Sequence, residues 1–122
     1  MNSKHLKAIF EANRVVVATS DTGHIPVSVV VTFLGVALWE DELDDEGEPL
    51  TLEGLAARVG MTATTISQHL RYLGDWYRQG KPGLRLVETE VYEQNRRKKV
   101  FRLTPKGRGL ARHLELVIRR LS

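Results

Sequence analysis

The chain has 122 residues, 42% of them hydrophobic and 27% charged, with a formal net charge of +3 and no cysteine. That is one soluble domain's worth of sequence, and the missing thiols exclude disulfides, thiolate zinc fingers, iron-sulfur clusters and thiol redox sensing. No apolar run reaches the roughly 18 residues of a membrane span, and no signal peptide opens at Met1 to His5, so a cytoplasmic protein without membrane contact is expected.

Residues 4–19 place Leu6, Ile9, Phe10, Val16 and Val17 at near-helical spacing and predict a first helix. Asp21-Thr22-Gly23 marks a turn, and Pro26 suits the first position of a second helix because no backbone N–H is needed there. From Pro26 to about Glu42 the sequence is apolar almost all round. A hairpin of residues 14–20 with 27–33 is the rival reading, but a length of about 17 residues favours a buried helix. An acidic loop, Asp44 to Pro49, leads to Leu52, Leu55, Ala56 and Val59, the i, i+3, i+4, i+7 pattern of a short amphipathic helix. Gly60 stops it in the left-handed conformation, and Thr62 caps a further helix running to about Arg78, with Ile66, Leu70, Leu73 and Tyr77 facing inward. Trp39 and Trp76 are likewise read as core aromatics. After the break at 79–83, Leu86–Tyr92 and Val100–Leu103 read as two strands of a hairpin. Thr104-Pro105 then opens a last helix whose Leu110, Leu114, Val117 or Ile118, and Leu121 line one face.

Charge is segregated along this order. Residues 40–53 hold eight acids and no base, whereas residues 54–122 hold fifteen Lys or Arg against five acids. A basic C-terminal half is the electrostatic footprint of a nucleic-acid binder, because cations near phosphates release condensed counterions. The acidic loop reads as a solvated turn that repels DNA and so selects the docking face.

Helix, helix, tight turn, helix, hairpin, helix is the layout of a winged helix-turn-helix. The expected fold is mainly α with a small β-hairpin (α+β). It divides into an N-terminal helix and turn (1–25), a winged core (26–104) and a C-terminal helix (105–122), all one domain over 1–122. With the apolar stripe inward, Thr64, Thr65, Ser67, Gln68 and Arg71 point out beside Thr62. Short hydroxyls, an amide and a guanidinium are the groups that contact phosphates and read base edges in a major groove. The recognition helix is placed at 63–78 and the wing at 93–100, where Arg96, Arg97, Lys98 and Lys99 are DNA-contact candidates.

The segment 26–112 resembles the MarR-type winged-helix regulators. The matching residues are Leu55-Ala56 with Val59-Gly60, the run Thr64-Thr65-Ile66-Ser67, and the stretch from Asn95 through Leu103-Thr104-Pro105-Lys106-Gly107. The resemblance implies that Arg97 takes the place of the wing arginine that enters the minor groove. Asn95 stands where that family usually has Asp. The long link Gly74–Leu84 is similar to that of small regulators of phages and mobile elements. Ser67-Gln68-His69-Leu70 is similar to the Ser-x-His-Leu of ArsR-type sensors, whose cysteine metal sites are absent here.

Four scattered histidines and a degenerate Glu42-x-Asp44-x-Glu46-Gly47 pattern supply neither a metal site nor a calcium loop, and no catalytic arrangement is visible. No enzyme, metal or cofactor is expected. The terminal helices, with Leu6, Ile9 and Phe10 at one end and Leu110, Leu114, Ile118 and Leu121 at the other, offer apolar surface for a homodimer. The function expected is a dimeric, sequence-specific transcriptional regulator of double-stranded DNA. A small-molecule effector is left unassigned, and the alternative is a winged-helix adaptor that binds proteins in replication, segregation or phage processes.

Overall fold

The computed structural model describes residues 3–78, 80–96 and 98–121. Its elements are α1 (Lys4–Val17), α2 (Val27–Trp39), α3 (Leu52–Val59), α4 (Ala63–Leu73), β1 (Trp76–Arg78), β2 (Lys81–Pro82), β3 (Val87–Val91), β4 (Lys99–Leu103) and α5 (Pro105–Leu121).

The apolar stretch after Pro26 is a helix and not a hairpin limb. Pro26 itself is the N-cap, so the helix begins at Val27, one residue later than expected, and the Pro26 carbonyl accepts the first helical bonds from Val29 and Val30. Only one face of α2 is buried: Val29, Phe33 and Val36 point inward, while Val27, Val31, Leu34 and Leu38 are exposed. The expectation of a helix buried all round therefore fails on its outer side. Contacts with α3, α4, β4 and α5 leave those four side chains uncovered.

The middle of the chain follows its local signals. Leu55 and Ala56 bury one face of α3, and Gly60 ends it at φ 84, where a side chain would be strained. Thr62 then caps α4, its Oγ1 accepting from the Thr65 N–H at 3.1 Å. The helix ends at Leu73, five residues before the expected boundary. Gly74 takes an extended conformation, and the following Trp76–Arg78 pairs antiparallel with Lys81–Pro82. Tyr77, assigned above to the inward helical stripe, thus lies in β1. The lengthened link is a small hairpin, bonded back onto the end of α4 through Leu84 N–H to Tyr72 O and Leu86 N–H to Leu73 O.

β3 and β4 form an antiparallel pair in unbroken register from Val87 opposite Leu103 to Val91 opposite Lys99. A single bridge from Thr51 to Val100 adds the residue before α3 to this sheet. The core lies between the sheet and the helices. Phe33, Val36, Leu55, Ile66, Leu73, Leu86 and Val87 are almost fully buried, each such side chain contributing about 1.5–3 kcal/mol relative to exposure.

α5 joins this core through Leu110 and Leu114, both 8% exposed. Those two residues, expected in a dimer face, are spent inside the chain, because α1 lies along α5 with Ala8 and Val16 inward. Thr104 fixes the start of α5 by accepting from the Gly107 N–H and donating to the Arg85 carbonyl. Gly107 has to lack a side chain, since a Cβ there would collide with the Leu86 carbonyl. Glu40, just past α2, binds the Leu103 N–H at 3.0 Å and the Arg108 guanidinium at 2.9 Å, tying α2, β4 and α5 together.

Candidate nucleic-acid interface

The outer face of α4 is set by what its inner face buries. With Ile66, Leu70 and Leu73 inward, Thr64, Gln68 and Arg71 fall on the opposite side at i, i+4, i+7 and are exposed. Thr65 and Ser67 are half-buried at the flanks. Thr62 is exposed but already employed: its hydroxyl caps the helix and donates to Thr65 Oγ1 at 3.0 Å. Of the side chains expected to meet a groove, Thr64, Gln68 and Arg71 are thus the ones presented outward. Among the described residues no carboxylate forms an ion pair with Arg71.

The wing projects from β3 and β4, next to α4, which packs on β3. Its tip is closed by backbone bonds from Tyr92 N–H to Lys98 O, Asn95 N–H to Tyr92 O and Lys98 N–H to Asn95 O. Lys98 and Lys99 are exposed. Arg96 is also exposed but is paired at 2.9 Å with Glu93 within the tip. Arg97 lies outside the described residues. Further up the hairpin Arg102 is held by Glu88 at 2.6 Å and Glu90 at 3.5 Å, and its pKa is raised, first by the Glu88 hydrogen bond and then by the Glu90 charge. The wing's cationic character is therefore concentrated at its tip.

Beside the wing stands the acidic segment, which is an ordered hairpin and not an open loop. Leu43 pairs with Pro49, and the Asp44 carboxylate accepts from the Glu46 and Glu48 N–H groups, each at 2.9 Å. The Tyr92 hydroxyl donates to the Glu48 carboxylate, and this bond, foremost among several causes, pushes the phenol pKa up. The acidic hairpin is thereby fastened to the wing where β3 runs into the tip, so negative charge borders the cationic tip on one side.

Sequence reasoning missed a contact behind α4. Thr32 on α2 is fully buried, and its hydroxyl shares a 2.8 Å hydrogen bond with Nδ1 of His69 on α4. The Met61 sulfur in the turn lies 3.8 Å from the same hydroxyl. Burial lowers the His69 pKa. One hydroxyl thus touches α2, the turn and α4. The motif around His69 had pointed only to a likeness of scaffold, and no local signal joins residues 32 and 69.

Of the other basic residues, Arg58 lies on α3, Arg78, Lys81 and Arg85 lie in the link between α4 and β3, and five lie on α5. Lys106 donates to the Leu84 carbonyl, Arg108 pairs with Glu40 and Arg119 lies 3.8 Å from Glu115. Among the described residues no group of three or more His, Asp or Glu could hold a metal ion, and no helix is long and apolar enough to cross a membrane.

No family model matches the sequence, and no curated protein matches it at a significant level. Among solved structures the chain is similar to a mutant of S. aureus MepR, with 22% sequence identity and a TM-score of 0.58 over 80% of this chain. It spans about 61% of the length of that MepR chain. Among the described residues, five helices and a two-stranded antiparallel wing match the arrangement of that structure, and the fold is a winged helix-turn-helix, mainly α with a small β-hairpin.

Proposed function

We propose that the protein is a sequence-specific regulator of transcription that binds double-stranded DNA as a dimer. The observation that carries the reading is the outward row Thr64, Gln68 and Arg71 on α4, bearing no acid, together with the exposed Lys98 and Lys99 of the wing, whose strand β3 packs on α4. An amide and a guanidinium on one helix face suit bidentate contacts to adenine and guanine edges in a major groove. Lysines at a hairpin tip suit the phosphates of the adjoining groove, with Arg96 and Arg97 as their neighbours in sequence. A two-fold dimer would place two such helices about one helical turn apart, and duplex recognition would then require a pseudo-palindrome. No catalytic step, metal or cofactor enters this reading, and the site of action is the cytoplasm. MepR is similar in fold, which supports the reading at the level of scaffold.

A second reading, a protein-binding adaptor, has one observation in its favour: the acidic hairpin is rigidly built and exposed, as a docking feature would be. Titration of a random-sequence duplex at two salt concentrations separates the two. A DNA-binding protein loses affinity steeply as salt rises, with a slope that counts phosphate contacts. Negligible affinity in dilute buffer, with no slope, would support the adaptor.

A further inference from the structure

α1 and α2 carry outward rows with the same spacing. On α1 the row is Leu6, Phe10, Asn13 and Val17; on α2 it is Val27, Val31, Leu34 and Leu38, so both advance by four, three and four residues. Leu6 and Phe10 are 56% and 59% exposed, and Val27 and Leu38 are 75% and 70% exposed. Steps of four and three are the seam by which paired helices interlock. Much of each helix is already used: α1 rests on α5, and α2 rests on α3, α4 and β4 and touches α5 along a groove that Leu34 and Leu38 share with Leu114 and Ile118. Neither seam is covered by the other within the chain. Monomeric proteins seldom expose contiguous apolar surface beyond a few hundred Å².

The charges at the helix ends say what covers them. Lys4 and Lys7 lie in the first turn of α1, where the helix dipole favours anions, and that turn holds no acid. α2 has no base in its last turn and runs into Glu40, Asp41 and Glu42, where the dipole favours cations. Each arrangement is locally unfavourable, and the two are complementary. Glu40 and Glu42 have internal partners in Arg108 and Arg58, and Asp41 is exposed beside them.

We infer that α1 of one copy lies antiparallel along α2 of a second copy, twice over in a two-fold dimer. This sets Leu6 opposite Leu38, Phe10 opposite Leu34, Asn13 opposite Val31 and Val17 opposite Val27, with Lys4 and Lys7 beside the partner copy's acidic end of α2. A parallel docking would bring the two lysines to the uncharged start of α2 instead. The inference rests on the dimer of the proposed function and names the surfaces that form it, drawing in α2, which the terminal-helix expectation left out.

The chain has no cysteine, so every disulfide in a cysteine variant is a designed one. Leu6→Cys and Leu38→Cys proteins, one of them tagged, are mixed under mild oxidation, and the tagged–untagged covalent dimer is the expected product. Leu6→Cys mixed with Val27→Cys should give little of it. Sedimentation of the uncrosslinked proteins supplies the second arm: Asp41→Lys should raise the dimer dissociation constant several-fold, and Lys4→Asp with Lys7→Asp in the same chain should restore it. All of these positions are exposed, so folding is not at stake. If the wild-type chain is a dimer but the cysteine variants crosslink at Leu6 with Val27, or at neither pair, the inference is overturned and the dimeric reading stands. A wild-type chain that sediments as a monomer would remove both.

Discussion

α4 and α5 are both amphipathic and both carry cations, yet their outer faces differ in kind. α5 displays five basic residues, and three of them have work within the chain: Lys106 on a carbonyl, Arg108 on Glu40 and Arg119 near Glu115. α4 displays one arginine among short polar groups, with no carboxylate on the same face. Net charge alone would rank α5 as the nucleic-acid surface. What marks α4 is the type of its side chains and their availability, since an arginine already held by a carboxylate must break that pair before it can meet a phosphate or a base.

The largest expected effect tests the buried side of α4. Ile66→Ala should cost about 2–5 kcal/mol of unfolding free energy, read by urea denaturation, because a fully buried side chain leaves a cavity at the centre of the fold. On the outer side the response should move from stability to binding. Gln68→Ala and Arg71→Ala should each lose about 1–3 kcal/mol of discrimination at the preferred site, with unfolding free energy changed by no more than about 0.5 kcal/mol. If these substitutions destabilise the fold and leave DNA affinity alone, the contrast drawn between the two faces fails.

A smaller effect sharpens the comparison of wing and α5. Lys98→Ala and Lys99→Ala should each reduce the slope of log affinity against log salt by about one, whereas Arg112→Ala on α5 should leave that slope unchanged. The smallest effect concerns the contact behind α4. Burial holds the His69 imidazole below its ordinary 6.5, so the unfolded chain takes up a proton first as the pH falls. The contribution of neutral His69 to stability is therefore complete above pH 6.5 and declines below it. His69→Gln should flatten that part of the profile of unfolding free energy against pH, and an unaltered profile would show that His69 does not control it.

Much of the winged core was legible because its signals are local. The Leu52 to Val59 periodicity, the left-handed Gly60, the Thr62 cap and the strand-forming run after Leu86 all concern neighbours within a few residues. What was not legible depends on distant partners. An apolar stripe such as Leu110 and Leu114 does not state whether its cover is the same chain or another copy, and here it is α1 of the same chain. An all-round apolar helix hides which face is left open, so the outward row of α2 emerged only with the fold. The β1–β2 hairpin escaped notice because strands of two and three residues carry too little periodicity to compete with a continuing helical pattern. Glu40 and Thr32 act across sixty-odd and thirty-odd residues, a separation at which sequence spacing carries no information.

Selection of duplex fragments from a random pool by the wild-type protein, repeated with the Gln68→Ala and Arg71→Ala proteins, tests the central claim most directly. Enrichment of one pseudo-palindrome with half-sites about one helical turn apart, relaxed at defined base pairs by each substitution, is the predicted result. A wild-type pool that stays random through successive rounds, or an enriched site that the α4 substitutions leave untouched, would contradict it.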